Sequence, residues 1–164
     1  MDKNQRVLIA DSNLVEAKKL AKELALKMEI VEVVSDGIRA LEAITEYKPD
    51  VVVLDIMMPM IDGLGVVEKC RERLTEDEIP SFIMTTFIGT QKLIECINHM
   101  DIDYCIMKPF QTEILFHRIE QITRLKYMNQ KVQYYGKKSK EEQKAFPSTS
   151  YDIRQDVTKI IRDL

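Results

Sequence analysis

The chain has 164 residues, a formal net charge of -3, and hydrophobic and charged fractions of 45% and 31%. These figures fit one folded domain of ordinary size with a short appendage and exclude two large cores. The acidic balance argues against a surface that is a nucleic-acid footprint throughout. No apolar run approaches the roughly 18 residues needed to span a bilayer, and the polar start MDKNQR is not a signal peptide, so the expected location is cytoplasmic.

In chain order, Arg6 to Ala10 is a short apolar run ending in Asp11-Ser12-Asn13, where Ser12 or Asn13 caps a following helix. Ala17, Leu20, Ala21 and Leu24 recur at helical spacing, which predicts a helix from about Leu14 to Met28. Ile30 to Val34 reads as a second strand. Ser35-Asp36-Gly37 turns it into a helix carrying Ile38, Leu41, Ala43 and Ile44. Lys48-Pro49-Asp50 then leads into VVVLDIMMPMIDG, from Val51 to Gly63. Its opening run is wholly apolar and bounded by turn residues, as a central parallel strand covered on both faces requires. Asp55 falls at the carboxyl end of that strand.

Leu64, Val66, Val67, Cys70 and Leu74 predict a third helix, Ser81 to Thr86 a fourth strand, Thr90 to Met100 a fourth helix and Tyr104 to Met107 a fifth strand. Thr112 is placed to cap the last helix. Its apolar positions Leu115, Ile119, Ile122 and Leu125 lead on through Met128 and Val132 to Tyr135, with Gly136 as the stop. A helix ending near Lys126 fits the pattern equally. Lys137 to Ser150 is polar and aperiodic and reads as a linker. Ile153, Val157, Ile160, Ile161 and Leu164 then fall on one helical face. Residues 1–126 thus form one domain, 127–151 a helix extension and linker, and 152–164 a short helix. Five alternations of strand and helix predict an α/β fold with a doubly wound parallel sheet.

The three cysteines, Cys70, Cys96 and Cys105, are widely spaced in apolar segments and read as reduced core thiols, without a disulfide framework or a zinc site. His99 and His117 lack metal-ligand spacing.

In a doubly wound sheet the carboxyl ends of strands one, three, four and five gather on one edge, where ligands bind. Asp11, Asp55, Thr85 and Lys108 stand there. Each has a structural reading when taken singly: Asp55 a turn-starting carboxylate, Thr85 a strand-end hydroxyl, Lys108 a solvated charge beside Pro109. Together they form a set with a chemistry. Two carboxylates with nearby backbone oxygens suit Mg²⁺, a hard cation that keeps waters and takes one or two protein carboxylates. A hydroxyl and an ammonium suit the oxygens of a phosphoryl group. With both, an aspartyl phosphate becomes accessible.

The motifs D-x-x-M-P-x-x-D-G at Asp55 to Gly63, the strand-end Thr85 and K-P-F at Lys108 to Phe110 resemble the receiver domain of two-component response regulators, over about residues 6 to 126. LDIMMPMIDGLGVVEK is similar to the receiver of the stage-zero sporulation transcription factors of spore-forming bacteria, and DIRQDVTKIIRDL resembles the opening helix of their DNA-binding domain. The resemblance implies a flavodoxin-like sheet of order 2-1-3-4-5. It also implies Asp55 as phosphoacceptor and Mg²⁺ ligand, Asp11 as a further ligand and the Met57 backbone carbonyl as another. Thr85 would follow the phosphoryl group, Lys108 would pair with it, and the bond before Pro109 would be cis. The implied partners are a histidine kinase or phosphotransfer protein and a second copy. The copy would be met through the face of the fourth helix, fifth strand and fifth helix. DNA would be reached only through a further domain, and no membrane is involved. Such a domain signals and is not an enzyme beyond self-catalysed phosphotransfer.

Three positions depart from the family pattern. Ser12 stands where the second residue of an acidic pair usually ligates the metal, Thr86 where Ala is usual, and Cys105 where a switch aromatic is general, with Tyr104 beside it on the opposite strand face. Losing a charged ligand at Ser12 is expected to weaken Mg²⁺ binding. Two other readings stand beside the phosphorylated switch. One is a pseudo-receiver that binds partners without phosphate. The other is a small flavodoxin-like enzyme, against which Asp11-Ser12-Asn13 puts an acid where a phosphate loop would need glycines or hydroxyls.

Overall fold

A computed structural model describes residues 5–87 and 102–145, with side chains as far as residue 138. Its elements are β1 (Arg6–Ala10), α1 (Leu14–Leu24), β2 (Glu29–Val34), α2 (Gly37–Tyr47), β3 (Val51–Asp55), α3 (Gly63–Arg73), β4 (Ser81–Thr86), β5 (Tyr104–Met107) and α4 (Thr112–Ala145). The helix expected over Thr90 to Met100, the one expected over Ile153 to Leu164, and Cys96 and His99 lie outside the described residues. The strands form one parallel sheet of order β2-β1-β3-β4-β5, the predicted doubly wound arrangement.

The central position of β3 follows from its composition. All five of its residues are buried, so it has no polar face to give to water and must be covered on both sides. On one side Leu8, Val52, Leu54 and Phe82 pack with Ala40, Ile44, Val66 and Cys70 from α2 and α3. On the other, Val7, Ile9, Val51, Val53 and Ile83 pack with Ala17 and Leu24 of α1 and Leu115 and Ile119 of α4. Adjacent residues of one strand go to opposite layers, as the period of two requires. Cys70 is a buried free thiol, and burial pushes its pKa up to about 11, which keeps it protonated and unreactive in the folded protein.

Three helix starts are capped by side chains, and Asn13 is the one of the expected pair that caps α1. The side chains of Asn13, Asp36 and Asp62 accept from the backbone N–H groups of Glu16, Arg39 and Gly65. Helix ends differ from expectation. The first helix stops at Leu24, short of Met28, because β2 already begins at Glu29, whose N–H donates to the Gln5 carbonyl at 2.9 Å. Few residues are left for the turn. Thr112 is the first residue inside α4 rather than its cap, and its hydroxyl bonds the Glu23 carboxylate. The last helix passes Gly136 and continues to Ala145, so Lys137 to Ala145 is helical where a linker was expected. A helical glycine costs about 1 kcal/mol relative to alanine, which one position in a long helix can absorb. By internal contacts the chain divides into two units, Met1–Lys126 and Tyr127–Leu164.

Gly63 is required by a close approach. A Cβ there would lie 2.5 Å from the Asp55 carbonyl oxygen and 2.7 Å from the Met84 methyl, while the Gly63 N–H donates to the Ile56 carbonyl at 3.0 Å. The start of α3 is thus pressed against the end of β3. Gly63→Ala should destabilise the protein by about 1–3 kcal/mol, the usual penalty for overpacking. Urea unfolding measures it, and an unchanged midpoint would show that α3 has room to move.

Candidate functional site

The parallel register decides which side chains meet. Asp55 ends β3 opposite Thr85 of β4, and Thr85 is paired in turn with Ile106 of β5. Ala10 of β1 pairs with Leu54, so Asp11 emerges beside Asp55. Lys108 follows β5, two strands away from β3 in the order of the sheet, and its long side chain spans that distance. Its ammonium lies 2.6 Å from Asp11 Oδ2 and 2.9 Å from Asp55 Oδ2. The three side chains retain only 8%, 12% and 6% exposure for Lys108, Asp11 and Asp55, so one ammonium bridges two largely buried carboxylates.

The remaining carboxylate oxygens are held by the chain itself. The Asn13 N–H donates to Asp11 Oδ1 at 2.8 Å and the Met57 N–H to Asp55 Oδ1 at 3.1 Å. Both are bonds from the residue two places on, which give each carboxylate a fixed orientation. Burial raises the Asp55 pKa above its ordinary value. The hydrogen bonds from Lys108 and from Met57 pull it down, and the nearby Asp11 charge adds to the rise. For Lys108, burial works to lower the pKa, but the bonds to Asp11 and Asp55 outweigh it and hold the ammonium protonated.

Ser12 is exposed, and its Oγ donates to the Met57 carbonyl at 3.3 Å. The hydroxyl thus links the loop after β1 to the loop after β3. Thr85 and Thr86 are both buried, and their carbonyls accept from the N–H groups of Ile56 and Lys108 at 3.0 and 2.8 Å. The Lys108-Pro109 bond is cis. Tyr104 packs with the α1 and α4 layer, where the Arg118 guanidinium sits 4.6 Å from its ring centre, and Cys105 packs on the opposite layer.

Asp62, the second carboxylate of the D-x-x-M-P-x-x-D-G run, caps α3 with a 2.7 Å bond from Gly65, and its role is structural. Met60 adopts φ 70, a left-handed conformation costing about 1–2 kcal/mol for a residue with a Cβ, so the loop after Asp55 is held tightly by its surroundings. Sequence reasoning missed Phe87. It is 65% exposed, and its ring centre lies 5.1 Å from the Lys108 ammonium. Its position directly after the strand-end threonines was the available signal.

Among the described residues no group of three or more His, Cys, Asp or Glu side chains could hold a metal ion. Asp11, Asp55 and the Met57 carbonyl nevertheless make a hard oxygen set that fits Mg²⁺ completed by waters. The carbonyl is already oriented by Ser12.

Removing the Lys108 ammonium would leave two buried carboxylates facing each other. Lys108→Met should destabilise by about 3–5 kcal/mol, as for other broken buried ion pairs. A carboxyl with a raised folded-state pKa contributes stability below its unfolded pKa and loses it as pH rises through the folded value. The deficit of Lys108→Met should therefore shrink as pH falls toward the carboxylate range. Adding Asp55→Asn should recover part of it at neutral pH. Denaturant unfolding across pH measures both, and a pH-independent deficit would show that Lys108 contributes packing instead of charge.

The model for the response regulator receiver domain matches residues 7–120. Response regulator MprA from Mycobacterium sp. (strain KMS) is 34% identical over 120 residues, covering 73% of this chain and 50% of that protein. MprA from Mycobacterium leprae (strain TN) is also 34% identical over 120 residues, covering 73% and 51%. The chain thus spans about half the length of the curated relatives it matches. Among solved structures, a DNA-binding response regulator of the LuxR family from Staphylococcus aureus aligns with TM-score 0.67 at 26% identity, over 73% of this chain and 98% of that one. A CheY-like receiver from Methanospirillum hungatei aligns with TM-score 0.70 at 20% identity, over 77% and 99%, and shares the fold. The chain belongs to the response regulator receiver domain family, the signalling domains of two-component systems.

Proposed function

We propose that Asp55 is the phosphoacceptor of this receiver and that a histidine kinase or phosphotransfer protein supplies the phosphoryl group. Phosphorylation on an aspartate is general to the family. The observation that supports Asp55 as that aspartate is the Lys108 ammonium, 2.9 Å from its carboxylate at the carboxyl edge of the sheet. In the transfer an Asp55 oxygen attacks phosphorus, the P–N bond to the donor imidazole breaks, and the electron pair stays on nitrogen. Lys108 pairs with the oxygens of the arriving group, and Thr85 offers the nearest hydroxyl on the neighbouring strand. Asp11, Asp55 and the Met57 carbonyl would hold Mg²⁺, which when bound neutralises charge between the carboxylates and the phosphate.

The output we assign to the phosphorylated state is a shift of the surface of β5 and α4 toward self-association, with Tyr104 and Cys105 as its strand residues. Transcriptional control would run through a DNA-binding domain, as the description of the similar Staphylococcus aureus protein as a DNA-binding response regulator suggests. Control of sporulation is supported only by the resemblance of LDIMMPMIDGLGVVEK. Incubation with acetyl phosphate and Mg²⁺ should add one phosphoryl group to the wild-type protein and none to Asp55→Asn, read by intact-mass spectrometry. Modification of neither would overturn the reading.

A second reading, binding without phosphate, draws on Ser12, which removes a charge from the ligand set. Ser12→Asp should tighten Mg²⁺ binding by about tenfold, since affinity follows ligand charge count. Calorimetric titration tests this: unchanged affinity would place Ser12 outside the ligand set. An absence of Mg²⁺ binding in the wild-type protein would favour the second reading.

A further inference from the structure

Between α2 and α3 runs an open groove of about 660 Å³. Its lining includes none of Asp11, Asp55 and Lys108, so the chemistry at the sheet edge leaves it without a use. Ile38, Leu41, Ile61 and Leu74 make its apolar floor. Ile38 is 39% exposed and the other three are half-buried. The walls carry charge of opposite sign. Glu42 and Glu46 stand four residues apart on α2, and Lys69 and Arg73 four residues apart on α3. Among the described residues none of these four makes an ion pair or a side-chain hydrogen bond, so the acidic and basic walls line one groove without closing it.

One end of the groove is fixed by backbone. The Gly37 N–H donates to the Pro59 carbonyl at 3.4 Å, and a Cβ on Gly37 would lie 2.0 Å from the Ile61 carbonyl oxygen. The start of α2 is thus seated directly on the loop that carries Ile61. The groove is formed in the free protein, which lowers the cost of filling it.

Shape and charge together select the occupant. A small apolar ligand would cover the floor and engage neither wall. A second copy of this groove would set one concave face against another and leave both floors unfilled. A single helix fits, because its apolar stripe enters the groove while each flank meets one wall. Four residues of helix rise about 6 Å, so the paired charges of each wall match charges at i and i+4 on the helix beside it. We propose that the α2–α3 groove docks an amphipathic helix of a partner protein, with its apolar stripe on the floor, cations against Glu42 and Glu46, and anions against Lys69 and Arg73.

Three labelled helical peptides with a leucine stripe test this by fluorescence anisotropy with the 164-residue chain. One carries Lys on one flank and Glu on the other, one carries Lys on both, and one carries Glu on both. The mixed peptide should bind about tenfold more tightly than either uniform one, which sets like charges against one wall. Replacing Glu42→Lys and Glu46→Lys together makes both walls basic and should transfer the preference to the all-Glu peptide. Both positions are exposed, and Lys suits a helix as well as Glu does, so the fold is kept. Ile38→Glu places a carboxylate in the first turn of α2, where it is favourable for the helix, yet it should weaken the mixed peptide about tenfold by opposing the apolar stripe.

Equal binding of the three peptides, or a preference that the double replacement leaves unchanged, would overturn the pairing of walls and flanks. Binding indifferent to Ile38→Glu would move the contact to another surface and overturn the groove. Absence of binding up to the millimolar range would end the proposal. So would sedimentation of the protein alone as a dimer that Ile38→Glu dissociates, since a second copy would then occupy the groove.

Discussion

One ammonium shared between two buried carboxylates governs the carboxyl edge of this sheet. Asp11 and Asp55 come from adjacent parallel strands, and their mutual repulsion in a poorly hydrated site would oppose the register that joins β1 to β3. Lys108 offsets it from the far side of the sheet, 2.6 and 2.9 Å from the two oxygens. Desolvation still wins at Asp55, whose pKa stays raised despite the ammonium and the Met57 N–H. The site is thus held together by charge while keeping one carboxylate poorly solvated. An arrangement of this kind is costly as pure architecture, since well-packed apolar residues would often serve stability as well. Its presence at a strand edge points to chemistry.

Much of this was legible in the chain because strand ends advertise themselves. Wholly apolar runs broken by Asp-Ser-Asn, Asp-Ile-Met-Met-Pro, Thr-Thr and Lys-Pro mark both the strand and the residue that leaves it, and topology brings those residues to one edge. Helix ends were less legible, for two distinct reasons. The end of α1 is decided by the pairing of Glu29 and Arg6 across the sheet, a long-range constraint that local periodicity does not carry. The passage of α4 through Gly136 is a matter of degree: glycine raises the cost of helix without forbidding it, and the residues on either side tolerate helix well.

Within the site, contacts that depend on how the chain is seated were not legible in the sequence. The approach of Gly63 to the Asp55 carbonyl depends on how α3 is seated, and the proximity of Phe87 to Lys108 depends on where the chain turns after Thr86. Neither leaves a pattern of spacing. The second aspartate of the motif shows the converse difficulty, since Asp55 and Asp62 are chemically alike in sequence. Only the cap bond to Gly65 assigns Asp62 to the helix and not to the site.

β4 ties these pieces into a single mechanical unit. Its Thr85 carbonyl holds the residue after Asp55, and its Thr86 carbonyl holds the backbone of Lys108. The strand end therefore carries both partners of the ion pair on successive peptide groups. A backbone shift at Thr85 and Thr86 must either stretch those two bonds or carry Ile56 and Lys108 with it. Tyr104 and Cys105 belong to the strand paired with β4 and face opposite layers, so a displacement at the strand end reaches both sides of the sheet through backbone alone. The pairing of Ile83 with Tyr104 and of Met84 with Cys105 is what couples the two strands there.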